Sequence, residues 1–163
     1  MDVLGIDIGG VIIDRVNDNT DTSFFGDNYL ATTPTPGVFE ALARLVNEKF
    51  GEHVYVVSKC GQRTQDKSLE WLAHHHFTER TGISLEHLRF CRERSGKAPI
   101  AADLGITHFV DDKLEVLSFL TMVPNLYLYR PQAKEVQRYL CHLHLVREMQ
   151  EWGTIADSIL QPA

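Results

Sequence analysis

Leu4-Gly5-Ile6-Asp7-Ile8-Gly9-Gly10-Val11 stands at the start of the chain. An apolar run that ends in a carboxylate and two glycines has the form of a strand buried on both faces, leading into a tight turn. It belongs to a strand predicted over 3–8, and further short apolar runs follow at 54–58, 88–91, 108–110 and 126–129. Helical patterns lie between them. The first begins near Gly37, after Pro34 and Pro36, and sets Val38, Leu42, Leu45 and Val46 on one face. Others are predicted over about 63–75, 98–104 and 113–120. A last helix over 132–152 would carry Val136, Leu140, Leu143 and Met149 at helical spacing. Strands alternating with helices predict an α/β fold, a three-layer α/β/α sandwich around a central parallel, Rossmann-like sheet. In such sheets ligands sit beyond the carboxyl ends of the strands.

The 163 residues suit one domain, 1–163, with a single core. A formal net charge of −6 argues against a nucleic acid polymer as partner, because phosphate backbones are gripped by clustered Lys and Arg. A small phosphorylated ligand needs only one local positive site. The three cysteines, Cys60, Cys91 and Cys141, show no CxxC spacing and point to neither a disulfide framework nor a zinc site. No apolar stretch approaches the roughly 18 residues of a membrane span, so a cytoplasmic protein without a membrane partner is expected. Residues 15–36 break the alternation and read as a flap or minimal-cap loop. Its Phe24, Phe25 and Tyr29 fit equally a stacking surface for a planar substrate group or an anchor for the loop.

The strand ends hold the chemistry. Asp7-Ile8-Gly9-Gly10 follows the first strand, Ser58-Lys59 the second, and Asp111-Asp112 the fourth, while Gly96-Lys97-Ala98-Pro99 opens the helix before the fourth. Carboxylates gathered at one sheet edge repel unless a cation neutralises them, and hard oxygen ligands suit Mg²⁺. Lys97 would stabilise an anion beside that metal. Ser58, with backbone N–H groups near Gly10 and Lys59, can hold phosphoryl oxygens.

In this order the four motifs resemble those of the haloacid dehalogenase-like (HAD) phosphohydrolases, over about residues 1–130. Pro36-Gly37 and the Lys67…Trp71-Leu72 stretch resemble the deoxyribonucleotidase-like branches of that superfamily. The resemblance implies a HAD-like sheet with a minimal cap or none, and Asp7 as the nucleophile that forms an aspartyl-phosphate. It implies Asp112, Asp7 and the Gly9 carbonyl as Mg²⁺ ligands, with Asp111 an additional or outer one. Ser58 and Lys97 would hold the transferring group, beside Gly9, Gly10 and Lys59. Capless members often assemble so that a neighbour covers the site, which makes a homo-oligomer one expectation. The chain departs from the pattern at Gly9, where such phosphatases usually carry a second Asp as proton donor. Two functions follow: a weakened phosphohydrolase of a small phosphate ester, or a non-catalytic module that binds phosphate and metal. The first motif also resembles the phosphate loop of sugar kinases and actin-like ATPases, but that fold needs two related domains.

Plainer explanations compete for the same residues. Asp7 can cap a turn, and Asp111 or Asp112 can cap the helix near Lys113. Lys97 can be a solvated surface lysine. His74-His75-His76 cannot chelate from one helix face and reads as a helix C-terminus. Cys60 reads either as a thiol activated by Lys59 and Arg63 or as a small packed side chain.

Overall fold

The computed structural model describes residues 1–15 and 26–161. Six parallel strands form one sheet: β1 Leu4–Ile6, β2 Val54–Lys59, β3 Leu88–Cys91, β4 His108–Asp111, β5 Asn125–Tyr129 and β6 Arg147–Met149. Their order across the sheet is 3-2-1-4-5-6. The order reverses between β1 and β4. At that switch point the flanking connections leave towards opposite faces and open a crevice beyond the strand ends.

Side chains alternate along the strands and feed two cores. Val56, Val110 and Tyr127 point to the first face, and Val57, Phe109 and Leu128 to the second. Helices α1 Val38–Leu45, α2 Gln62–His74 and α3 Phe77–Thr81 contribute Leu42, Trp71 and Phe77 to the first. Helices α4 Lys97–Leu104 and α5 Leu114–Phe119 contribute Ala101 and Leu117 to the second. This is the three-layer sandwich expected. Gly5 in mid-strand has a packing reason: a Cβ there would lie 2.6 Å from the Phe109 ring of the neighbouring strand.

The expected helix over 132–152 is not one helix. Instead α6 Ala133–Arg138 is followed by a tight 3₁₀ stretch at Leu140–Leu145, then β6, then α7 Trp152–Leu160. Strand pairing overrides the local pattern, because β6 occupies the otherwise open edge of β5, with Tyr129 opposite Met149. The apolar stripe of α7, Trp152, Ile155, Ala156 and Ile159, then closes the first core.

The segment over 15–36, expected as a flap, is described at residue 15 and at 26–36, while Phe24 and Phe25 lie outside the described residues. Its second part is tied to α2. Tyr29 hydrogen-bonds Glu70 and lies under the Lys67 ammonium, the Trp71 indole N–H donates to the Thr32 carbonyl, and His75 bonds the Leu30 carbonyl. Tyr29 therefore anchors the loop. No helix among the described residues is long and apolar enough to cross a membrane.

Candidate active site

The chain leaves β1 through a turn drawn tightly together. The Ile8 carbonyl accepts from the N–H groups of Val11, Ile12 and Ile13, and Gly10 N–H donates to the Ile13 carbonyl over 2.9 Å. Thr35 Oγ1 and the Trp152 indole both donate to the Val11 carbonyl, which fastens the turn to the first core. Gly10 adopts φ 77°, the left-handed region that favours glycine. A Cβ at Gly10 would stand 2.5 Å from Asp112 Oδ2, so the glycine is also the gap into which Asp112 fits.

Asp7, Asp111 and Asp112 meet at the switch point, each offering an oxygen within 4.8 Å of the others. Lys97 lies under them, 2% exposed, with Nζ 2.9 Å from Asp7 Oδ1 and 2.7 Å from Asp111 Oδ2. It is no solvated surface lysine. Asp111 uses its second oxygen to accept from Lys113 N–H over 3.0 Å, so both of its oxygens are engaged. The first N–H groups of α5 are met instead by the Glu135 carboxylate. Helix capping therefore explains part of Asp111 and none of Asp112. Asp112 turns the other way, into a cavity of about 320 Å³.

That cavity is lined by Asp7, Gly9, Gly10, Ser58, Lys59 and Asp112, the residues predicted to converge. Lys97 and Asp111 stand behind Asp7 rather than on the wall. Arg15, Thr64 and Ser68, which no motif points to, also line the cavity, together with Asp14 and Cys60. Arg15 is the main omission: its Nη2 donates to Asp112 Oδ2 over 2.6 Å. Nothing in sequence spacing tells where the chain turns after Ile13. The Cys60 thiol is pushed up by burial, so the packed reading holds over the activated one. His75 stacks on Trp71 and meets the His74 ring edge-on, and the group of possible metal ligands found among the described residues contains no histidine.

Electrostatics follow from burial. Removal from water raises the Asp7 carboxyl well above its ordinary range, and Asp111 and Asp112 raise it further against the pull of Lys97. Burial likewise lifts Asp111 to about 6. Burial alone would press Lys97 towards neutrality, yet Asp111 and Asp7 outweigh it and hold its pKa above that of a free lysine. When all three carboxyl groups are ionised, the buried Lys97 ammonium and the Arg15 guanidinium on Asp112 leave one negative charge that a cation would offset. Donor chemistry fits as well, since all three donors are carboxylate oxygens.

Strand order and layers are those of the haloacid dehalogenase-like fold, as solved structures similar to this chain show. Among solved structures, the chain is similar to a HAD family hydrolase from Deinococcus radiodurans R1, solved with bound phosphate and sodium. That likeness has 13% identity and TM-score 0.61, and covers 97% of this chain and 94% of the other. It is also similar to a haloacid dehalogenase-like hydrolase from Burkholderia xenovorans LB400, at 15% identity and TM-score 0.56 over 79% of this chain. The chain spans 60% of that protein's length. No family model matches the sequence, and no curated protein does.

Proposed function

We propose that this chain is a Mg²⁺-dependent phosphohydrolase of HAD type acting on a small phosphate ester. The observation that carries the reading is the meeting of Asp7 and Asp112, from distant parts of the chain, at one cavity, with Lys97 bonded to Asp7 from behind. Asp7 and Asp112 would hold the cation, with the Gly9 carbonyl beside them, and Asp111 would act through its bond to Lys97. The cation supplies charge neutralisation to Asp7 and to the phosphoryl oxygens. Asp7 attacks phosphorus, the alcohol leaves with a proton from solvent, and water then hydrolyses the aspartyl-phosphate. Ser58 and the N–H group at Lys59 would steady the phosphoryl oxygens, while the Gly10 N–H stays on the Ile13 carbonyl. Lys97 lowers the pKa of Asp7 against the burial that raises it, and the third N–H of its ammonium would serve an oxygen of the transferred group.

Gly9 brings no acid to the leaving group. General acid help is worth about 10²- to 10⁴-fold, so esters of good leaving groups and acyl phosphates are the substrates best served. The same observation favours a second reading, a phosphate- and metal-binding module without turnover. Acetyl phosphate hydrolysis with and without Mg²⁺ separates them. Turnover that needs Mg²⁺ and disappears in Asp7→Asn supports the enzyme; phosphate binding without any turnover supports the module.

A further inference from the structure

Arg15 makes a bond for which the reaction above has no use. Its Nη2 holds Asp112 Oδ2, and its Nη1 donates to the Arg130 carbonyl over 3.3 Å. The backbone is shaped around this clamp on both sides. Arg130 takes φ 42°, the left-handed region uncommon for a residue with a Cβ, and its carbonyl is the one that Arg15 uses. Across the gap, a Cβ on Gly10 would lie 3.1 Å from Arg15 Nη2. The two ends of the ion pair differ in freedom: the Arg15 side chain is 29% exposed and that of Asp112 is 6% exposed.

A carboxylate oxygen held by a guanidinium is not free to face a cation, and the two positive charges repel at that range. We propose that Arg15 is an exchangeable counter-ion. It neutralises Asp112 in the metal-free protein, yields that oxygen to Mg²⁺, and then turns its freed N–H donors on an anionic oxygen of the substrate in the same cavity. The guanidinium fork suits both partners, since its paired N–H groups can meet two oxygens of either a carboxylate or a phosphate. Lys97 cannot take this part, being buried between Asp7 and Asp111. Because Arg15 blocks one ligand and grips the other, cation and anion strengthen each other's binding through it. This inference rests on the cation site proposed above.

Calorimetric titration of Mg²⁺, and of orthophosphate at saturating Mg²⁺, into wild type, Arg15→Gln and Arg15→Lys tests it. In Arg15→Gln, Mg²⁺ is expected to bind about tenfold tighter and orthophosphate about tenfold weaker, an ordinary coupling between two sites. Arg15→Lys keeps the charge and should stay near wild type for Mg²⁺. Equal or weaker Mg²⁺ binding by Arg15→Gln, or a lysine variant that matches it, overturns the exchange. A wild type that binds no Mg²⁺ overturns the cation site itself, and this inference with it.

Discussion

Lys97 Nζ stands 2.9 Å from Asp7 Oδ1, although 90 positions separate the two residues. The parallel register of β1 with β4, Ile6 opposite Val110, puts Asp7 beside Asp111, and the helix before β4 delivers the lysine beneath both. The pair explains how a carboxylate stays usable in a place where burial pushes it towards protonation.

Removing that ammonium leaves two buried carboxyl groups without a counter-charge. Breaking a buried pair from one side costs about 3–5 kcal/mol. Lys97→Met is expected to lose that much in urea unfolding at neutral pH without metal. The loss should shrink as the pH falls, because protonated carboxyls need no counter-ion. An unchanged unfolding midpoint would show that Lys97 does not carry this charge balance.

Metal affinity should depend on pH with a definite sign. Burial lifts Asp111 from its ordinary 3.8 to about 6, and lifts Asp7 well above that ordinary value. A raised folded-state pKa means that the folded chain holds the proton more tightly than the unfolded chain does. Asp111 therefore weakens the metal-free fold above about pH 6, a penalty that fades as the pH falls towards 3.8, and Asp7 acts with the same sign. Mg²⁺ needs the ionised forms, so its stabilisation fades over the same window. Buried His108 acts oppositely, since its lowered pKa makes its contribution whole above 6.5 and lost as the pH falls below that. The difference between melts with and without Mg²⁺ removes His108 from the comparison. That difference should fall by more than half between about pH 7.5 and pH 5.5, and a constant one would contradict the assignment.

Position 9 has room for the missing acid. Nothing lies within 4 Å of a Cβ built on Gly9, and its φ is not in the positive region. Gly9→Asp should fold like the wild type and raise p-nitrophenyl phosphate hydrolysis by about 10²-fold or more. A folded variant with no gain would mean that proton donation is not what limits the site.

Gly10 is the opposite case. Gly10→Ala combines a left-handed backbone with a Cβ 2.5 Å from Asp112 Oδ2. It should cost about 1–3 kcal/mol and weaken Mg²⁺ binding, because Asp112 must move. Unaltered affinity by calorimetry would place the cation away from Asp112.

Five of the six strands were legible as short apolar runs, four of them largely buried on both faces and the edge strand β3 half-buried. The sixth, Arg147–Met149, is an edge strand whose pairing comes from the exposed side of β5 and leaves no local pattern. Extending the preceding helix through it also hid the spacing of Trp152, Ile155, Ala156 and Ile159, which was in the sequence to be read. The site residues could be found because strand ends converge in a parallel sheet whatever lies between them. Arg15 could not, since it follows an irregular turn whose course is set by bonds to Ile8 and Thr35. Nor could the burial of Lys97, which sits at the start of a helix with little amphipathic pattern and is covered by strands far away in the chain.

The account stands most directly on a crystal structure grown with Mg²⁺ and orthophosphate. It predicts one ion bridging the carboxylates of Asp7 and Asp112, phosphate in reach of Ser58 and Lys97, and the Arg15 guanidinium moved from Asp112 to the phosphate. An ion bound elsewhere, or phosphate outside the cavity at the end of β1, would contradict it.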